Sequence, residues 1–161
     1  MKKENFYNKK RYSWIYIVII IFFADIFSKY WIFKHFSLYQ IKKIFFICNI
    51  FYVHNYGAAF SLLSNQNGWQ KWLFSLISII TILNMIYVNI TEQKKNDIIS
   101  YSFIIGGAIG NLFDRVFYGC VIDFIDLHID GYHFATFNIA DLSIFIGVTI
   151  IIMKKYVNNK K

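Results

Sequence analysis

The chain has 161 residues, of which 57% are hydrophobic and 21% aromatic, and its formal net charge is +8. Such a composition is too apolar for an ordinary soluble domain of this length, and the length predicts one domain, residues 1–161. The charge does not indicate nucleic-acid binding, because the basic residues flank apolar stretches and form no separate basic, aromatic-rich patch.

Four stretches are long and apolar enough to be predicted as transmembrane helices, which need about 20 such residues. They cover residues 14–33, 69–90, 98–117 and 136–156. Four tryptophans lie near the predicted ends, where amphipathic rings favour the membrane–water interface: Trp14, Trp31, Trp69 and Trp72. The sequence therefore predicts an all-α membrane protein with four spans.

The basic residues predict how these spans are oriented. Eleven lysines and arginines lie before the first span, between the second and third, or after the fourth, against three in the other two connections. By the positive-inside rule, both termini are then cytoplasmic. No small-residue cleavage site follows the first apolar stretch, so we expect an uncleaved anchor there.

The acidic residues are distributed in the opposite way. Six aspartates fall in the outer halves of the predicted spans or in the last outer loop: Asp25, Asp114, Asp123, Asp126, Asp130 and Asp141. Carboxylates at membrane depth are costly and usually functional. Their concentration at one face predicts a functional site near the extracytoplasmic surface.

The segment "DIFSK" in the first span places Asp25 and Lys29 four residues apart, a spacing that favours an ion pair on one helical face. The favoured interpretation is an ion pair that only holds helices together. The alternative is that Asp25 and Lys29 take a direct part in the chemistry of the site.

The segment "GGAIGNLFDR" in the third span sets Gly106 and Gly110 in a GxxxG pattern, which permits close helix packing. Asn111, Asp114 and Arg115 follow on one helical face. This face fits a structural polar cluster as well as it fits a functional site.

The segment "FNIAD" at the head of the fourth span predicts a capping box, with Asn138 as the N-cap and Asp141 three residues later. The preceding loop, "VIDFID", brings Asp123 and Asp126 to the same outer side of the membrane. Converging carboxylates favour general acid–base chemistry, in which one activates water while its partner holds the shared proton.

Other candidate sites are weaker. His128 with Asp126 and Asp130 could bind a metal ion, but a solvated loop is the favoured interpretation. Cys48 and Cys120 are predicted to be free thiols rather than a disulfide, with no accompanying residues that would make either a nucleophile.

Two other function classes remain open at this point. A small proton-coupled transporter would also concentrate acids within its spans. It would, however, need polar groups that reach both faces of the membrane, whereas the inner halves of these spans are expected to be uniformly apolar. A non-catalytic assembly subunit would explain the glycine pattern but not the acids.

Five segments together resemble one family. "DIFSK", "NYGAAF", "GGAIGNLFDR", "VIDFID" and "FNIAD" occur in the order found in lipoprotein signal peptidases, the type II signal peptidases of bacteria, and the likeness covers nearly the whole chain. The resemblance implies an intramembrane aspartic endopeptidase of the cytoplasmic (inner) membrane that cleaves prolipoproteins just before a diacylglyceryl-modified cysteine. It also implies a monomer that contacts membrane lipid, needs no cofactor or metal, and is inhibited by globomycin-type compounds.

The resemblance adds to the expected fold a small extracytoplasmic β-cradle and a short periplasmic helix after residues 55–60. Carried over by motif, the catalytic pair is Asp123 and Asp141. Asp114 is the alternative to Asp123 as the first member of this pair. It ranks second, because the adjacent Arg115 should keep it ionised.

The remaining motif positions are expected to support the site. Four polar residues match positions that line the family's active site: Asn55, Asn111, Arg115 and Asn138. Asp25 and Lys29 match its first motif and are expected to support the structure. Ile26 departs from the family pattern, which often has a polar residue there.

Overall fold

The computed structural model describes residues 13–57, 68–91 and 95–160. Within these ranges it contains four helices and four strands. In chain order they are α1 (Ser13–His35), β1 (Ile41–Phe45), β2 (Cys48–Asn55), α2 (Gln70–Thr91), α3 (Lys95–Phe117), β3 (Val121–Ile129), β4 (Tyr132–His133) and α4 (Ile139–Asn158).

A helix is present at each of the four predicted stretches, and the strands between them form the small sheet that the family resemblance implied. The predicted short helix after residues 55–60 falls on residues outside the described part of the chain, as do the first five basic residues. Within the described ranges, two helices are long and apolar enough to cross a membrane, Trp14–His35 and Gln70–Thr91.

Helix α3 is the central element, since it packs against α1, α2 and α4. An apolar cluster of Val18, Ile82, Ile105 and Ala108 joins three of these helices. The close packing predicted from the glycine pattern is confirmed: a Cβ atom on Gly106 would lie 2.9 Å from Cβ of Ile21 in α1. Small residues therefore let the helix backbones approach without a clash.

Buried polar side chains occur in the halves of the helices that lie away from the sheet, which were predicted as the inner halves. Asn89, Ser100 and Ser102 are buried, and Asn89 Nδ2 donates a hydrogen bond to Ser102 Oγ at 3.5 Å. The expectation that the inner halves are uniformly apolar is therefore wrong. Hydropathy averaged along a span misses single polar residues that face a neighbouring helix.

The sheet is antiparallel in the order β1-β2-β3-β4. Ile32 near the C-terminal end of α1 and Phe36 just after it pack against Tyr52, Ile122 and Phe124 of the sheet, which fixes the sheet to the helices. Strand β3 follows α3 after a short turn, and Asn55 at the end of β2 pairs with Val121 at the start of β3. The candidate site residues on both strands thus lie beside the helix ends.

Candidate active site

The first turn of α4 holds Asp141 in a fixed position. The predicted capping box is present: Asn138 has an extended backbone, and its Oδ1 accepts a hydrogen bond from the backbone N–H of Asp141 at 2.8 Å. In return, Oδ2 of Asp141 accepts a hydrogen bond from the backbone N–H of Asn138 at 3.4 Å. This reciprocal bonding satisfies two backbone donors that the helix leaves free.

Asp123 lies on β3 and is held by two amides. Its Oδ2 accepts a hydrogen bond from Asn55 Nδ2 at 2.9 Å, and its Oδ1 accepts one from Asn138 Nδ2 at 2.7 Å. The side chain is only 1% exposed. Pairing of β2 with β3 brings Asn55 within reach, and the start of α4 supplies Asn138.

Asn111 completes the connection between the two carboxylates. Its Nδ2 donates to Oδ1 of Asp141 at 2.7 Å, while its Oδ1 accepts from Asn138 Nδ2 at 3.1 Å and from Lys29 Nζ at 3.2 Å. Because an ammonium group only donates, Lys29 requires the amide oxygen on its side and leaves the NH₂ group facing Asp141. Asn138 and Asn111 therefore link Asp123 to Asp141, and Asn138 contacts both carboxylates.

Lys29 also forms the centre of a buried ion cluster. Its Nζ lies 2.6 Å from Oδ2 of Asp25 and 2.9 Å from Oδ2 of Asp114. Asp25 accepts a hydrogen bond from the backbone N–H of Ala140 at 2.9 Å, and Asp114 accepts one from that of Ile122 at 3.1 Å. The cluster ties α1 and α3 to the starts of β3 and α4, so both elements that carry the carboxylates rest on it.

The cation beside Asp114 is therefore Lys29, not Arg115 as the sequence suggested. Neighbours in a helix point in different directions, so adjacency along the chain does not imply contact. Arg115 instead donates to the carbonyl oxygen of Gly57 at 3.3 Å and to that of Asn111 at 3.4 Å. Its guanidinium group also lies over the ring of Phe74, 5.6 Å from the centroid.

A cavity of about 640 Å³ lies beside these residues. Its polar lining comes from Asn55, Asn111, Arg115 and Asp141, and its apolar lining includes Leu142 and Phe145 of α4. Asp123 does not line this cavity; Asn55 and Asn138 cover its carboxylate.

The environments of the two carboxylates differ. Burial, and then the negative charge of Asp141, raise the pKa of Asp123 to about 7, against the opposing effect of hydrogen bonds from Asn55 and Asn138. A carboxyl group with this pKa is about half protonated at pH 7 and mostly protonated below it. Two interacting carboxyl groups of which one keeps its proton are the arrangement required for acid–base hydrolysis.

The segment "VIDFID" is a strand rather than a loop, and Asp126 is not solvated. Asp126 is buried, accepts from Asn49 Nδ2 at 2.9 Å and contacts His133 Nδ1 at 2.8 Å. Side chains alternate along a strand, so Asp123 and Asp126 bond to different partners. Among the described residues, no group of three or more His, Cys, Asp or Glu side chains could hold a metal ion.

Both cysteines are free thiols. Burial raises the pKa of Cys120 to about 11, so its thiol is protonated at neutral pH and is a poor nucleophile.

Comparison with known proteins gives a consistent match. The family model described as signal peptidase (SPase) II matches residues 17–157. The chain is 58% identical to a lipoprotein signal peptidase of Buchnera aphidicola subsp. Schizaphis graminum, over 94% of this chain and 99% of that protein. It is 42% identical to a lipoprotein signal peptidase of Escherichia coli O157:H7, over 91% of each chain.

A solved structure agrees with these matches. It is described as a bacterial membrane enzyme, determined by the in meso method at 2.3 Å resolution. It aligns with a TM-score of 0.82 and 34% sequence identity, over 92% of each chain. By sequence and by fold, this chain belongs to the signal peptidase II family.

Proposed function

We propose that this chain is an intramembrane aspartic endopeptidase of the bacterial inner membrane. It removes signal peptides from prolipoproteins by cleaving just before the diacylglyceryl-modified cysteine. The observation that carries the proposal is that Asn138 bonds both carboxylates, through Nδ2 to Asp123 at 2.7 Å and through its backbone N–H to Asp141 at 3.4 Å. An aspartic peptidase needs two carboxyl groups that share a proton near one water molecule.

In this proposal all four helices span the membrane and both termini are cytoplasmic. Helices α3 and α4 have 23 and 20 residues, long enough to cross. Their polar side chains, such as Asp114 and Ser143, are buried against neighbouring elements, while Phe145 and Ile152 are exposed. This distribution is what a lipid-facing helix requires. The sheet and the carboxylates then lie at the extracytoplasmic side.

The mechanism assigns different roles to the two carboxyl groups. Asp141 accepts a proton from a water molecule, and the resulting hydroxide attacks the scissile carbonyl carbon. Asp123, which holds its proton because of the pKa raised to about 7, donates to the carbonyl oxygen. When the tetrahedral intermediate collapses, the C–N bond breaks, the departing amine takes the proton that Asp141 accepted from water, and a hydroxyl proton of the intermediate returns to Asp123 as the C=O bond re-forms. The route needs no metal ion and no covalent intermediate.

The cavity suits a substrate that is both lipid and peptide. Exposed side chains of α4, among them Leu142 and Phe145, form an apolar side toward the membrane. Asn55 and Arg115 form a polar side near Asp141. Acyl chains and the apolar part of the signal peptide would occupy the first side, and the asparagines and Arg115 would hold the peptide backbone. Globomycin-type inhibitors are proposed to fill the same cavity, and one monomer contains the complete site.

The direct test is cleavage by purified protein in detergent. A peptide with a lipobox and a diacylglyceryl cysteine should be cut just before that cysteine, with or without a chelator, and globomycin should block the reaction. A peptide identical except for an unmodified cysteine is the matched control and should be a poor substrate. Absence of cleavage of the lipidated peptide would overturn the proposal.

The family membership does not support the alternative of a proton-coupled transporter. The same preparation in sealed vesicles tests it directly. Proton flux without peptide cleavage would favour transport over hydrolysis.

A further inference from the structure

The two hairpin tips of the sheet have opposite chemistry. The β3–β4 tip is Asp130–Gly131, with φ values of 48° and 83°. An Asp-Gly pair with two positive φ values is the usual polar turn of a hairpin in water. The β1–β2 tip instead has Phe46 and Ile47 at the turn, preceded by Phe45 at the end of β1. An aromatic and aliphatic turn is poorly suited to water.

No described part of the chain covers the β1–β2 tip. Phe45 is 73% exposed and Phe46 86% exposed. The tip nevertheless has a fixed position, because Phe45 pairs with Cys48 and the carbonyl oxygen of Ile47 accepts a hydrogen bond from the backbone N–H of His128 at 3.0 Å. The apolar side chains are therefore held outward by the sheet. An apolar hairpin tip exposed in this way favours aggregation unless another surface covers it.

The charge next to the tip identifies a suitable surface. Lys42 and Lys43 lie on β1 just before it, and both are exposed. Aromatic side chains flanked by lysines are typical of segments that lie in a membrane interface, where the rings enter the acyl boundary and the ammonium groups meet anionic headgroups.

The chain connection also limits how far the tip can lie from the bilayer. Strand β1 begins six residues after the end of α1 at His35, a span of at most about 20 Å, and Phe45 lies four residues further along the strand, about 13 Å more. The outer end of α1 lies at the membrane surface if this helix crosses the bilayer.

We propose that the Phe45–Ile47 tip inserts into the outer leaflet of the membrane, with Lys42 and Lys43 bound to the headgroups of anionic phospholipids. The tip thereby anchors the sheet that carries Asn55 and Asp123. The inference rests on the proposed orientation of the four helices and does not depend on peptidase activity.

The test places a fluorescent probe at the tip of the full-length protein in vesicles. Ile47→Cys is labelled in a Cys48→Ala/Cys120→Ala background, in vesicles of phosphatidylcholine with phosphatidylglycerol that contain nitroxide-labelled lipid. A tip about 5–10 Å into the interface should be quenched more strongly by a nitroxide near the headgroup than by one at the end of the acyl chain. The matched control, Asp130→Cys on the polar tip, should be quenched less by both.

A second variant separates insertion from an effect of the dye. Phe45→Ser/Phe46→Ser should reduce quenching of the Ile47→Cys probe to the level of the Asp130→Cys control without unfolding the sheet, because both side chains are exposed. Replacing Lys42 and Lys43 by glutamine should remove the difference between vesicles with and without phosphatidylglycerol.

A probe in the middle of α2, Leu83→Cys, keeps the two proposals distinguishable. Strong quenching of this probe by the deep nitroxide with none at Ile47→Cys would overturn tip insertion alone. Quenching at neither position would overturn the membrane orientation itself. Cross-linking of the tip to a second copy of the chain, with no quenching by nitroxide-labelled lipid, would also overturn tip insertion.

Discussion

Removal of the Asn55 side chain should change the pH dependence of cleavage. Asn55 Nδ2 donates to the carboxylate of Asp123 at 2.9 Å, which stabilises the ionised form and so lowers the pKa of Asp123. In Asn55→Ala this effect is lost and the pKa rises. Because Asp123 acts in its protonated form, activity is retained below its pKa and lost as the pH rises through it. The alkaline limb of the profile, set by a pKa of about 7 in the native chain, therefore moves to higher pH.

The size of the shift follows from the strength of this bond. A hydrogen bond to a charged group is worth about 1.5–3 kcal/mol, and one pKa unit corresponds to about 1.4 kcal/mol. Asn55 is half-buried, so the lower end applies and the expected shift is about one pH unit. The assay is kcat/KM for a lipidated lipobox peptide, measured across pH in detergent.

The matched control is Asn49→Ala. Asn49 lies on the same strand and makes the same type of bond, 2.9 Å from Nδ2 to a buried carboxylate, but to Asp126. This variant should leave the alkaline limb in place, whatever it does to the maximum rate. An unchanged or lower limb in Asn55→Ala would refute the assignment of Asp123 as the proton donor.

Two further predictions concern the helices that support the site. In Gly110→Ala the new Cβ would lie 2.5 Å from Oδ2 of Asp25. We therefore expect the free energy of unfolding to fall by about 1–3 kcal/mol, seen as a lower melting temperature in detergent. An unchanged melting temperature would contradict the packing of α1 against α3. Lys29→Met leaves Asp25 and Asp114 as buried charges without their cation, and should destabilise the protein by about 3–5 kcal/mol. Lys29→Met/Asp114→Asn removes one of those charges and should recover part of the loss in the same measurement, whereas a double variant less stable than the single one would count against the ion cluster.

Local features of the site were predictable from the sequence because they depend on residues that are close along the chain. The capping box needs only Asn138 and Asp141, three positions apart. The ion pair between Asp25 and Lys29 needs only one turn of helix. Positions of the helices followed from long apolar stretches, since hydropathy is additive along the chain.

The sheet and its partners were not predictable in this way. Residues 121–124 of β3 are all buried, so the strand lacks the apolar–polar alternation that marks an ordinary half-exposed strand. Long-range partners leave no local signal: Lys29 reaches Asp114, and Asp126 is held by Asn49, 77 positions away. The contact of Lys29 with Asp114 in the buried cluster therefore appeared only in three dimensions.

In the proposed mechanism, Asp123 and Asp141 act together on one water molecule. The most direct measurement compares cleavage of the lipidated peptide by Asp123→Asn, Asp141→Asn and Asp126→Asn, each purified and checked for its melting temperature. Asp126 is the control, since it lies on the same strand as Asp123 and is equally buried and hydrogen-bonded. Cleavage should be undetectable with the first two variants and substantial with the third. Near-native cleavage by a folded Asp123→Asn or Asp141→Asn variant would contradict it.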